Sequence, residues 1–278
     1  MLKTLLVHIP SERSPGPVID CAVSLTASLG AHLDAIAIGY EAVGTAGLVA
    51  DGGAALVAME FEYDRALERA EAAIAVCEAE ATRANIAHAS RILSAGPAEA
   101  AKTMGVIARL YDLTIVLQPD YSRPGFDDRV PQEVLFDSGG PMLMVPYIHK
   151  GPLNARNIGI AWDGSRLAAR ALRDAMPFLT EAATVTVIAV NENRDVAVDA
   201  GLAELAVQLT RRGIHIRIER LEADGPNIHD AILSTAADND IGLLVMGGYG
   251  HSRLKERVLG GVTKGVFESM TVPTLMSH

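Results

Sequence analysis

Cysteine is scarce in this chain: two residues, Cys21 and Cys77, in 278. They cannot build a disulfide framework and they lack C-x-x-C or metal-ligand spacing. Each stands in an Ala-rich helical pattern and reads as a buried structural thiol, which suits a reducing cytoplasm. Positive charge is also short, with 24 Lys and Arg against 34 Asp and Glu, a net charge of −10. That balance argues against a general nucleic-acid surface, although one basic loop can still hold one phosphate group. Aromatic residues make up 4% of the chain, with a single tryptophan. No run of ~20 apolar residues exists, so no membrane span is expected. The opening MLKTLLVHIP is apolar only briefly, and His8 and Pro10 end it too early for a signal-peptide core. None of the eight histidines shows H-x3-H or H-E-x-x-H spacing, and no G-x-S-x-G elbow or G-x4-G-K-[ST] loop is present. We assign no catalytic residue and no metal ligand.

What the chain has is apolar content, 49% of its residues, enough for one or two packed domains. It also has an internal repeat. SAGPAEAA, YDLTIVLQPDY and VLFDSGGPMLMVP follow one another in the first half; EADGPNIHDA, NDIGLLVMGGYG and GVFESMTVPTLM follow in the second. The starts correspond too, KTLLVHIP with RNIGIAWD. Gly96-Pro97 and Gly225-Pro226 each precede a helical stretch, where proline in a first turn loses no helical bond. A repeated order of elements argues for two copies of one unit, residues 1–149 and 153–278, meeting in a short polar stretch at 149–154.

In the second half, strands are expected at 157–162, 185–190, 214–221, 241–246 and 272–276. Helices are expected after Asp163-Gly164-Ser165 to about residue 179, at 196–212 with Gly213 as its cap, at 227–237, and after Gly260-Gly261. Alternation of this kind implies an α/β class fold, a doubly wound parallel sheet in each of two repeated domains. The first half follows with strands at 5–9 and 33–38 and a helix at 18–29. It then has a Gly/Ala-rich loop at 44–54 and a long, charge-laced helix at 57–84. That helix reads either as an ordinary amphipathic second helix or as a solvated extension acting as a lid.

The most informative segment is LLVMGGYGHSRLKERVLGGVT, residues 243–263. A buried strand stops at Gly247-Gly248, a polar basic loop follows, and Gly260-Gly261 open a helix. Strand, glycine-rich loop and helix N-terminus is a layout that holds an anion, because glycine lets backbone come close and free N–H groups point at it. The third glycine of a dinucleotide fingerprint would fall on Arg253, so that pattern is absent. Gly247, Gly250 and Gly260 follow G-x2-G-x9-G, and VMGGYGHSRLKERVLGGVTKGVFESMTVPTLM resembles the C-terminal third of the universal stress protein family. Where nucleotide-binding members carry Ser or Thr after the last glycine, this chain has Gly261, with Thr263 two residues on.

The resemblance implies an adenine nucleotide α-hydrolase-like, Rossmann-like fold and an adenine nucleotide in the second half: ATP, with AMP or ADP as alternatives and Mg2+ accompanying a triphosphate. Asp163 would fix base and ribose, and the Val190 backbone would meet adenine. Met246, Gly247, Gly250, His251, Gly260, Gly261, Val262 and Thr263 would surround the phosphates. Asp163 could instead cap the following helix, and Trp162 could stack on a base or simply pack. The first half lacks the loop. Aligning Leu117 with Val245 sets Pro119 against Gly247 and Asp120 against Gly248, with Asp127 and Asp128 repelling phosphate and Pro10 standing where Asp163 stands. The resemblance further implies an internal pseudo-dimer joined through strands 142–145 and 274–276, with a homodimer of chains also open. Three functions compete: a cytoplasmic nucleotide-binding stress sensor with at most weak ATP hydrolysis, a stress protein acting on an unknown protein partner or small ligand without nucleotide, and an ATP- or AMP-using transferase.

Overall fold

The computed structural model describes residues 2–41, 54–190, 196–222, 228–248 and 261–278, with side-chain surroundings described outside 54–59, 190, 196–200 and 261–264. The expected loop at 44–54 therefore lies almost wholly outside the described residues, as do Gly225 and Pro226.

The first half runs β1 (Thr4–Ile9), α1 (Gly16–Leu29), β2 (His32–Tyr40), α2 (Ala54–Arg83), β3 (Ala87–Ala95), α3 (Pro97–Ala108), β4 (Leu113–Leu117), a 3-10 turn (Phe126–Arg129), α4 (Val130–Asp137) and β5 (Met142–Val145). The second runs β6 (Asn157–Ala161), α5 (Arg166–Asp174), α6 (Met176–Leu179), β7 (Thr184–Val190), α7 (Val196–Thr210), β8 (Ile216–Leu221), α8 (Ile228–Asp238), β9 (Leu243–Gly247), α9 (Gly261–Ser269) and β10 (Thr274–Ser277).

Local chemistry accounts for many of these ends. Gly30 closes α1 in the left-handed region at φ 55°, its N–H bonded to the Ala27 carbonyl. Gly213, at φ 79°, ends α7 in the same way, donating to Thr210. The helix expected after Ser165 is split in two, α5 and α6. Pro177 stands in the first turn of α6, where it supplies no N–H to continue the earlier ladder. The strand β3 has no counterpart among those expected from sequence. It is an edge strand of alternating, partly exposed residues, so it lacks the apolar run that marks β4.

All ten strands described form one sheet in the order β3-β2-β1-β4-β5-β10-β9-β6-β7-β8. Within each half every pairing is parallel. The halves join through β5 and β10, which run antiparallel with Thr274 opposite Met144 and Met276 opposite Met142. This is the strand pair expected from the sequence. The helices α1, α2, α5 and α7 pack on one face and α3, α4, α8 and α9 on the other. The buried apolar residues divide accordingly. One cluster joins Val18, Ile74, Phe178 and Leu205; the other joins Met104, Leu135, Ile232 and Phe267. Each cluster therefore spans both halves, and the division is by face of the sheet. The α2 helix buries Ala66, Ala70, Ala73, Ile74, Cys77 and Ala81 along one side, the ordinary amphipathic arrangement.

The link between halves, residues 146–156, is pinned to the first half. The Gly151 N–H donates to Asp20 Oδ2 at 3.2 Å and the Leu153 N–H to Ser24 Oγ at 3.0 Å.

Candidate functional site at the second strand-order switch

Each half reverses its winding once, between β1 and β4 and between β6 and β9. Ligands of doubly wound sheets sit beyond the carboxyl ends of the strands at such a reversal. In the second half one register row runs across three strands: Ala161 pairs with Met246 on one side and with Ile188 on the other. Two residues beyond that row lie Asp163, Gly248 and Val190. The fold thus brings the acid, the start of the glycine loop and the end of β7 to one level at the switch.

Asp163 is exposed, and its Oδ1 accepts the Ser165 N–H at 2.9 Å. Ser165, not Asp163, is the N-cap of α5: its Oγ accepts the Ala168 N–H at 3.1 Å. The capping role open to Asp163 thus belongs to its neighbour, and among the described residues no hydrogen bond occupies Asp163 Oδ2. Trp162 is half-buried against the core on the α5 and α7 face, its backbone N–H donating to the Ile188 carbonyl at 2.9 Å. This favours packing over base stacking.

Met246 is buried in the opposite core, so only its backbone is available to a ligand. Gly247 lies against the first turn of α5, where a Cβ would stand 2.7 Å from the Ala168 nitrogen and 2.8 Å from the Leu167 carbonyl carbon. Gly248 lies against the first half, where a Cβ would stand 3.0 Å from Leu135 Cδ1. Packing against backbone thus requires glycine at 247 in its own right, whereas at 248 the neighbour is the end of a leucine side chain. Gly261 opens α9, with Val262 and Thr263 in its first turn. The helix start demanded by an anion loop is present. Gly250, His251 and Gly260 lie outside the described residues, together with Arg253, Lys255 and Arg257, and so do the side chains of Val190, Val262 and Thr263.

The corresponding place in the first half differs from the sequence alignment. Thr114 pairs with Met142 and Leu117 with Val145, as Leu244 pairs with Thr274 and Gly247 with Ser277. Leu117 is therefore the counterpart of Gly247 and Gln118 of Gly248, a shift of two residues from the alignment made on sequence. The glycine-to-side-chain replacement is thus earlier and bulkier than Pro119 suggested. The loop beyond is closed on its own carboxylates. Asp127, 6% exposed, accepts the Tyr40 hydroxyl at 2.8 Å and the Glu12 N–H at 3.0 Å, with His8 Nε2 3.4 Å away. Asp128 Oδ2 accepts from Arg13 at 2.8 Å and from the Gly125 N–H at 2.7 Å. Burial opposes ionisation of Asp127, but the His8 ring, the Tyr40 hydroxyl and the Glu12 amide outweigh it and hold its carboxyl below the usual range. From sequence, Asp127 and Asp128 are expected only to repel a phosphate. In the fold they take the N–H donors themselves. His8 and Tyr40 carry no sequence signal, because their meeting with Asp127 depends on the chain closing over 87 residues.

A chain whose halves are doubly wound α/β units sharing one sheet, with a glycine loop at one switch point, defines a narrow class. Residues 154–278 match the model of the universal stress protein family. Universal stress protein Slr1230 of Synechocystis sp. is 32% identical over 91 residues, covering 33% of this chain and 30% of that protein. Among solved structures, a universal stress protein from Archaeoglobus fulgidus DSM 4304 superposes with TM-score 0.71 at 17% identity, covering 98% of this chain and 97% of that one. A functionally unknown protein from Pseudomonas aeruginosa PAO1 gives 0.58 at 16% identity, covering 99% and 92%. The two structures share the fold across the whole length. The second half of the chain, residues 154–278, thus carries the similarity to the universal stress protein family, and the chain spans about a third of the length of the curated relative it matches. Among the described residues no helix is long and apolar enough to cross a membrane.

Proposed function

We propose that the second half binds an adenine nucleotide and that the protein senses or signals in the cytoplasm rather than catalyses. Asp163 accepts ribose hydroxyls through Oδ2. The Val190 backbone meets adenine, and the loop from Met246 through Gly250, His251 and Gly260 to Gly261, Val262 and Thr263 receives the phosphates, with Mg2+ accompanying a triphosphate. The observation that carries this reading is the convergence of Asp163, Val190 and Gly248 two residues past a common register row, with α9 starting at Gly261. A helix start alone contributes roughly 0.3–1 kcal/mol toward an exposed anion, so several amides must act together. With Gly261 in the place of a hydroxyl residue, Thr263 is the remaining candidate to supply one. The first half is a degenerate copy, its corresponding loop closed by Asp127 and Asp128.

A second reading has its own support. Packing alone accounts for Gly247, which leaves room for a family member that binds a protein partner or another small ligand instead. Mass analysis of small molecules released from the purified, unheated protein separates the two. Recovery of ATP, ADP or AMP, with a rise in Tm on adding ATP and Mg2+, supports the nucleotide reading. Recovery of none, with no shift in Tm, overturns it in favour of the second.

A further inference from the structure

Besides the strand join, two of the contacts between the halves are related by the internal pseudo-two-fold. Gln118 and Gly248 each follow a matching strand pair, and each donates its N–H at 2.8 Å, to Val145 and to Ser277 respectively. Leu135 and Phe267 also correspond, since Ser138 bonds back to Val134 as Met270 does to Val266. In one contact Gln118 reaches across to Phe267. In the other Leu135 presses on Gly248. The same pair of positions is thus used twice, once through a hydrogen bond and once through a side chain lodged against a glycine.

Gln118 is 1% exposed, and both polar atoms of its side chain are bonded. Its Nε2 donates to the Phe267 carbonyl at 2.9 Å, and its Oε1 accepts the Tyr147 N–H at 3.3 Å. The partners fix the orientation of the amide, since a carbonyl requires a donor and an N–H an acceptor. Phe267 lies in the last turn of α9, where carbonyls lack helical partners, so a residue of the first half satisfies the end of a helix in the second. Gly248 stands at the departure of the glycine loop, and α9 is the element into which the loop returns. The first half thus touches the end of β9 and the last turn of α9.

We propose that Gln118 and Leu135 are positioning residues for the anion site of the second half: they touch no ligand, and they set the separation and angle of the two elements that carry its amides. The proposal rests on the nucleotide reading above. It gives the first half a task although its own loop is closed.

The test uses the full chain, with ATP and Mg2+ binding followed by calorimetry. Q118E keeps an acceptor for Tyr147 but sets a carboxylate against the Phe267 carbonyl. L135V withdraws a methyl group from Gly248, and is the milder variant should Q118E fold poorly. We expect Q118E to lose about tenfold in affinity at pH 8, roughly 1.4 kcal/mol. The ratio to wild type should recover at a pH low enough to protonate the introduced carboxylate, whose O–H then donates to the Phe267 carbonyl. L33A, which destabilises the β2 core far from either anchor, should lower Tm without changing affinity. Equal affinity of Q118E, L135V and wild type overturns the proposal, as does an equal loss in L33A. If wild type binds no ATP, the nucleotide reading falls by itself. Amide exchange then decides the positioning claim: faster exchange in α9 of Q118E supports it, and unchanged exchange overturns it.

Discussion

At the scale of single residues, two aspartates at non-equivalent places in the two halves do opposite things. Asp163 is exposed with one oxygen engaged by Ser165; Asp127 is buried with its oxygens taken by Tyr40 and Glu12. Replacing Asp163 by Ala should therefore change Tm by little, within about 0.5 kcal/mol in stability, while removing most of the nucleotide-induced thermal shift. Replacing Asp127 by Asn should cost about 1–3 kcal/mol at neutral pH, measured by urea unfolding, because buried donors lose their charged acceptor. The pH dependence follows from the sign of the shift. The carboxyl of Asp127 is depressed in the folded state, so its contribution is complete above the ordinary Asp value of about 3.9 and is lost as pH falls below that. The gap in stability between D127N and wild type should narrow as pH drops below about 4. The thiols give a third expectation. Burial pushes Cys21 up to about 12 and Cys77 up to about 11, so neither should react with a thiol reagent at neutral pH until the chain is denatured.

At the scale of elements, the glycines at the end of β9 show why a motif can be legible while its reason is not. Their spacing along the chain is a sequence property. Their contact with α5 and with Leu135 is a property of the closed fold. G247A should force β9 and the first turn of α5 apart and cost about 1–3 kcal/mol by the overpacking of backbone against a new methyl group, whether or not nucleotide is present; urea unfolding of the variant measures it. The strands β6, β9 and β10 are legible in the sequence within a residue or two, because burial on both faces leaves a continuous apolar stretch. The β3 strand is not, since an edge position rewards alternation that charged loops also show. The first-half alignment slips by two for a related reason. Nothing in LQPDY marks where β4 ends, and only the pairing of Leu117 with Val145 fixes the register. The cluster of His8, Tyr40 and Asp127 is out of reach of pattern reading, because it joins three separate elements.

At the scale of the whole molecule, the cores run through both halves along each face, and the sheet is continuous through β5 and β10. Neither half keeps its core intact when the other is lost. Urea unfolding should therefore be a single transition, with fluorescence of Trp162 in the second half and far-UV circular dichroism of the entire chain giving the same midpoint. Separate midpoints would show that the halves fold independently.

The short, pinned link at 146–156 has a consequence for how such a pair can diverge. Because the two units are one polypeptide, their meeting is intramolecular and does not weaken on dilution. Every unit with the glycine turn always faces one without it, in a fixed one-to-one stoichiometry that separate chains could only approach statistically. Covalent fusion thus frees each unit to specialise, since no copy ever has to match itself.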